Sequence, residues 1–316
     1  MRIGKTEIQA GEKRTGFLPV EGNGASPPFT VIRGGEGKTA LVTAGVHNAE
    51  YPGIQAAIEL AEELVPEQVK GTVIIVPLVN VSGFERRTMS TVYEDGKNLN
   101  RVFPGAVLGT AADRTAAAVV SELFSRADCY IDLHAGDGYE DLHPYAYYVG
   151  PVDKKVRETS FQMARRVNAE YLVESSCTTG GAYNYASAAG IPSILIERGG
   201  RGLWSREEVE EDKNDVRRVL SYFGILEGEA EPVREQTVFR EVVYENAPES
   251  GCWYPAFRPG ERVRKGDTLG EIRDYFGRTV HVCTAKGDGV LLYQTVSLTL
   301  LKGGPMAAYG LWPEEG

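Results

Sequence analysis

The chain is short of the features that would fix its class at once. Cysteine is scarce: Cys129, Cys177, Cys252 and Cys283 are the only four in 316 residues, widely spaced and without a CxxC pair. That pattern indicates neither a cysteine zinc site nor a disulfide framework. Histidine is equally scarce, at four. No Lys/Arg-rich run occurs and the formal net charge is −10. Nucleic acid and anionic membrane are therefore not expected as partners, while a local basic pocket for a small anion stays compatible with the composition. No apolar run reaches the roughly 18 residues of a membrane helix. The opening MRIGKTEIQAGEKRTG has no apolar h-region, so a secretory signal is not expected and the expected compartment is the cytoplasm. No solenoid-type repeat or low-complexity segment is visible.

What remains is ordinary globular composition, 42% hydrophobic and 25% charged. The length suits one large domain with a smaller one, and can bury a sizeable core without staples. TALVTAGV (39–46), GTVIIVPLVN (71–80), DCYIDLH (128–134) and IPSILIERGG (191–200) read as strands, mostly near-continuous apolar runs that suit a sheet covered on both faces. Residues 51–64, 109–127, 156–171 and 205–225 read as helices. Strands alternating with helices predict an α/β sheet flanked on both sides. The texture changes at the acidic LEGEAEPVREQ (226–236), a linker signal. From 237 to 316, short β runs broken by PG, KGD, FG and GDG predict a small all-β module.

His47 follows the first of these strands and precedes Glu50 by three residues. At a helix start that spacing puts both side chains on one face. Alone, such a pair is as well read as solvated surface. Its place at a strand's carboxyl end is where open α/β sheets bind ligands, and imidazole nitrogen with carboxylate oxygen is a catalytic zinc's donor set. A third ligand should stand at another strand end, and His134 does. His143, in an aromatic loop, and His281, in the β module, are weaker candidates. Glu197 ends the fourth strand after three apolar residues. A buried carboxylate there is costly without a partner. Beside a metal it is placed to act as base and then acid; otherwise it pairs with Arg198 or faces solvent. Asn100 and Arg101, in DGKNLNRVFPG, form an anion-recognition pair or an ordinary polar turn.

GVHNAE, NLNRVFPG, DLH and IERGG occur in the order shown by the succinylglutamate desuccinylase/aspartoacylase family of zinc deacylases, which this chain resembles over most of residues 30–200. The resemblance implies a three-layer αβα fold like that of zinc carboxypeptidases, with a mostly parallel, mixed sheet, plus a C-terminal all-β barrel or sandwich. It implies one Zn2+ per chain on His47, Glu50 and His134, Glu197 as general base, and Asn100 with Arg101 holding a substrate carboxylate. It also implies an upstream arginine that polarises the scissile carbonyl, matched best by Arg87, with Arg86 adjacent. Two departures stand out. Asn48 replaces a frequent glycine, and Asn98 replaces an aspartate that would orient the first zinc histidine. The β module also resembles biotinyl/lipoyl-type folds and carries Lys286 in AKGDG, but lacks a Met-Lys-Met or Asp-Lys-Ala arrangement; it reads as a structural lid.

The expected organisation is a catalytic domain over 1–228, a linker around 226–236 and the β module over 237–316. The expected activity is zinc-dependent hydrolysis of the amide of a small N-acyl amino acid, and a homo-oligomer is compatible with it. A carboxypeptidase-like peptidase needs the same parts. A binding or scaffold protein is the alternative of another class.

Overall fold

The computed structural model describes residues 1–22, 25–228 and 230–312. The chain opens with a hairpin of β1 (Arg2–Ile3) and β2 (Thr6–Glu7). It continues through β3 (Glu12–Phe17), β4 (Pro28–Arg33), β5 (Thr39–Ala44), α1 (Tyr51–Glu63), β6 (Thr72–Val76), α2 (Val81–Arg86), α3 (Ala111–Leu123) and β7 (Cys129–His134). Then come β8 (Glu140–Leu142), β9 (Tyr145–Val149), α4 (Lys154–Ala164), β10 (Tyr171–Ser175), α5 (Ala182–Ala188), β11 (Ser193–Glu197), α6 (Arg206–Tyr222) and β12 (Thr237–Phe239).

Nine of these strands form one mixed sheet in the order β12-β10-β9-β11-β7-β5-β6-β4-β3. The central run β11, β7, β5 and β6 is parallel. These are the four strands whose sequences are apolar on both faces, and each face has its own cover. Val42, Ile131, Ile194 and Ile196 pack in one cluster with residues of α1, α4 and α6. Leu41, Ile74, Tyr130 and Leu195 pack in the other with residues of α3 and α5. Alternation along each strand feeds both layers, so the expected three-layer architecture is what forms.

The C-terminal part folds as two antiparallel sheets. One holds β13 (Val242–Asn246), β15 (Arg262–Val263), β18 (Gly289–Thr295) and β20 (Pro305–Leu311). The other holds β14 (Gly251–Pro255), β16 (Thr268–Arg273), β17 (Thr279–Thr284) and β19 (Thr299–Leu300). Trp253, Leu269, Ile272, Leu291, Met306 and Tyr309 fill the space between them. Lys286 forms an ion pair with Glu245 at 2.8 Å.

Three details differ from the sequence reading. The helix expected over 156–171 stops at Ala164, and Tyr171 already belongs to β10. The sheets do not divide at 237: β12 pairs in parallel with β10 at the edge of the large sheet. In return β8 leaves the N-terminal part and pairs with β18. Leu142, Tyr145, Tyr171, Phe239, Val290 and Leu292 form a shared apolar cluster across this junction. Among the described residues no helix is long and apolar enough to cross a membrane.

Candidate active site

The carboxyl ends of β5, β7 and β11 lie side by side at the sheet centre. After β5 the chain turns and enters α1, with Glu50 as its N-cap and Pro52 in its first turn. The Glu50 side chain does not cap the helix; it faces two imidazoles instead. Its Oε1 lies 2.8 Å from His47 Nδ1, and its Oε2 lies 2.8 Å from His134 Nδ1. The backbone N–H of Ala135 donates to the same Oε2. His47, Glu50 and His134 are a group of donor atoms that can hold one metal ion.

The outer ring nitrogens show that the group fits a cation. Asn98 Oδ1 accepts from the Asn100 backbone N–H and lies 3.0 Å from His47 Nε2. An amide oxygen only accepts, so His47 must carry its proton on Nε2. In the neutral ring Nδ1 is then a lone pair facing a carboxylate, a contact that either a proton or a metal ion between them satisfies. His134 repeats the pattern: Nε2 lies 3.1 Å from Asp132 Oδ2, without the alignment of a good hydrogen bond. Asp132 is fully buried and accepts from Thr43 Oγ1 at 2.6 Å. Such outer partners orient metal-binding imidazoles and fix their tautomers. Burial pushes the Glu50 carboxyl up, but the His47 and His134 charges outweigh it and hold it at about 2. His134 moves the other way: burial disfavours its charge, yet Glu50 and Asp132 raise it well above the usual histidine range.

Glu197 is the residue of β11 in register with His134. Burial raises its carboxyl well above the usual range, and the neighbouring Glu50 charge adds to that. Strand alternation turns Arg198 to the opposite face, where its Nε donates to Asp212 at 2.9 Å and its Nη2 to Asp215 at 2.5 Å. Arg198 therefore anchors the strand end without neutralising Glu197. Asn100 and Arg101 sit in a short 3-10 turn whose N-cap is Asn98. Asn100 is buried and its Oδ1 accepts from the Ala182 backbone N–H.

His47, His134, Glu197, Asn100 and Arg101 all line one cavity of about 320 Å³. Tyr147, Ser175, Cys177, Thr179, Gly181, Tyr183, Asn184, Leu195 and Tyr244 complete its walls. Tyr244 comes from β13, so the β module contributes to the cavity; its hydroxyl lies 3.1 Å from that of Tyr147. A larger cleft of about 800 Å³ runs beside α1 and α6. Its charges pair with one another, as in Arg217–Glu63 and Lys70–Glu227.

Arg87 is not brought to the cavity. It caps α2 in a left-handed conformation (φ 56°) and faces solvent. Arg86 is also exposed, over the Tyr93 ring. The oxyanion role expected of Arg87 thus has no support in the geometry: α2 ends in an exposed turn, and neither Arg86 nor Arg87 lines the cavity. His143 stands at the junction of the two parts, 3.7 Å from Glu170, and His281 lies on β17. The departure at Asn48 has a local account: its Oδ1 accepts from Asn80, which caps α2. Sequence reading missed Asp132, although a polar residue two before His134 in an apolar strand is a usable signal. It also missed Tyr147, Tyr183 and Tyr244, whose convergence depends on tertiary structure.

The comparisons agree with this geometry. Residues 36–223 match the family described as the succinylglutamate desuccinylase/aspartoacylase catalytic domain. The chain is 29% identical over 255 residues to an N-alpha-acetyl-L-2,4-diaminobutyric acid deacetylase of Halomonas elongata, covering 78% of this chain and 74% of that one. Among solved structures it resembles the product-bound ectoine utilization protein EutE (DoeB) of Ruegeria pomeroyi, with 30% identity, a TM-score of 0.87 and 96% of each chain covered. A succinylglutamate desuccinylase/aspartoacylase of Rhodobacter sphaeroides superposes over 100% of both chains, with 27% identity and a TM-score of 0.86. The chain is an amide-hydrolysing enzyme and belongs to the succinylglutamate desuccinylase/aspartoacylase family.

Proposed function

We propose that the protein hydrolyses the amide bond of a small N-acyl amino acid, with one zinc ion held by His47, Glu50 and His134. The observation that carries this reading is the meeting, in one cavity, of two Nδ1 atoms on the two oxygens of one carboxylate with Glu197 and the Asn100–Arg101 pair. Two imidazoles and a carboxylate are the donor set of a catalytic zinc that keeps a position open. When bound, zinc supplies a Lewis acid for the amide carbonyl and eases deprotonation of water.

The chain's own residues do the rest. Arg101 receives the substrate carboxylate in its guanidinium fork, and Asn100 fixes the turn that presents it. This places the scissile amide between the metal-binding group and Glu197. Glu197 takes the proton of the attacking water and passes it to the departing amine nitrogen. Its carboxyl, raised by burial, suits both halves of that transfer. Tyr147 and Tyr244 wall the cavity and limit its size. A cavity of about 320 Å³ suits a small molecule better than the open cleft a peptidase needs.

The test is a deacylation screen with the zinc-loaded protein. It starts from Nα-acetyl-L-2,4-diaminobutyrate, the substrate class named for the Halomonas relative. Release of free amino acid that depends on zinc and is lost in His134→Ala is the expected result. Full activity after complete metal removal would sink the reading.

A further inference from the structure

We propose that this cavity accepts substrates with a single carboxylate and rejects a second one, whether on the acyl group or on the side chain. The inference rests on the reading of Arg101 as the carboxylate anchor. It departs from the activities in the family's name, whose substrates carry additional carboxylates.

Among the described residues, Arg101 is the only lysine or arginine that lines the cavity. Two other arginines stand near its mouth, where the adjoining cleft shares Ser175. Neither lines the cavity, and both lean on one acid: Arg157 Nη2 lies 2.9 Å from Glu174 Oε1, and Arg240 Nε lies 3.4 Å from Glu174 Oε2. The remaining polar wall is neutral. Tyr147 and Tyr244 bond each other through their hydroxyls, and Asn184 donates to the Cys177 carbonyl. On the metal side the neighbouring groups are acidic. Glu197 lines the cavity beside the two imidazoles.

One substrate carboxylate meets Arg101. A second would meet no lysine or arginine of the cavity wall and would lie beside Glu197 in a partly desolvated site. Unpaired charge and like-charge juxtaposition are strong means of discrimination. The class admitted is therefore an amino acid with a neutral or cationic side chain, carrying a small uncharged acyl group.

The test uses isosteric pairs that differ only in charge. Calorimetric titration of the zinc-loaded protein with L-glutamine against L-glutamate, and L-asparagine against L-aspartate, reads binding without requiring turnover. We expect the dicarboxylate of each pair to bind about 10-fold more weakly or worse. Equal or tighter binding of the dicarboxylates overturns the inference, as does failure of all four to bind. Selective binding without hydrolysis of any N-acyl amino acid would leave the inference standing and remove the catalytic reading. Cys177 and Thr179 lie on an exposed stretch of the cavity wall, so an arginine at either place should not disturb the core. Cys177→Arg or Thr179→Arg should narrow the glutamine-to-glutamate ratio about 10-fold. An unchanged ratio in both would show that charge is not what discriminates.

Discussion

Asp132 shares a face of β7 with His134 and lies against its outer ring nitrogen. Its Oδ1 is occupied by Thr43, which leaves Oδ2 for the ring. Loss of such a partner typically costs about 10- to 100-fold in metal affinity. Asp132→Asn should therefore weaken zinc binding by about that factor in competition with a chelator, and unchanged affinity would remove Asp132 from the site. Glu197 is proposed for the opposite case, a residue that acts without holding metal. Glu197→Gln keeps the shape and removes the base, so kcat should fall by about 10²- to 10⁴-fold while zinc content by elemental analysis stays at the wild-type level. Metal loss would recast Glu197 as a ligand. At Arg101 the fork rather than the charge is at stake. Arg101→Lys should lower kcat/KM for carboxylate substrates more than for their carboxamide analogues, since only the former use the bidentate contact. Equal losses on both would argue against a carboxylate at that position.

At the scale of elements, the site depends on how closely α1 approaches β7. Gly53 is buried in α1, and a Cβ there would come 2.7 Å from Leu133 Cβ, beside His134. Gly53→Ala should push the helix start away from the strand, at about 1–3 kcal/mol. Because Glu50 begins that helix, zinc affinity should drop with the melting temperature; a stable variant with native affinity would contradict the contact. On its outer side α1 meets α6 through Lys213, buried among Glu59, Glu63 and Glu210. Lys213→Met leaves three carboxylates facing one another and should cost about 1–3 kcal/mol in denaturant unfolding, with kcat unaffected. The strands that lead into the site were legible in the sequence because β5, β7 and β11 are covered on both faces and read as apolar runs ending in polar residues. The edges of the sheet were not. β10 is a five-residue strand that follows α4 closely, so its Tyr171 read as a continuation of the helix. β12 is three residues long and adjoins the acidic stretch. Arg87 fell to the same limit: local spacing cannot tell which side of a short helix faces the cavity.

For the molecule as a whole, the two parts are not separable bodies. Their shared cluster buries Leu292 to 1% exposure beside Tyr145, Tyr171 and Phe239. Leu292→Ala should therefore cost about 2–5 kcal/mol, and calorimetry should show one cooperative transition rather than two. A separate early peak for the β module would refute that coupling. The exchange of β8 for β12 carries a further meaning for how such proteins diverge. A recombination event that inherited only residues beyond the acidic stretch would bring a foreign β18 to meet the resident Glu140–Leu142, and would leave β12 without its own neighbour β10. The heritable cassette is thus discontinuous: the loop following His134 and the far end of the chain must descend together. Chimeras between relatives should remain soluble only when both segments come from the same parent.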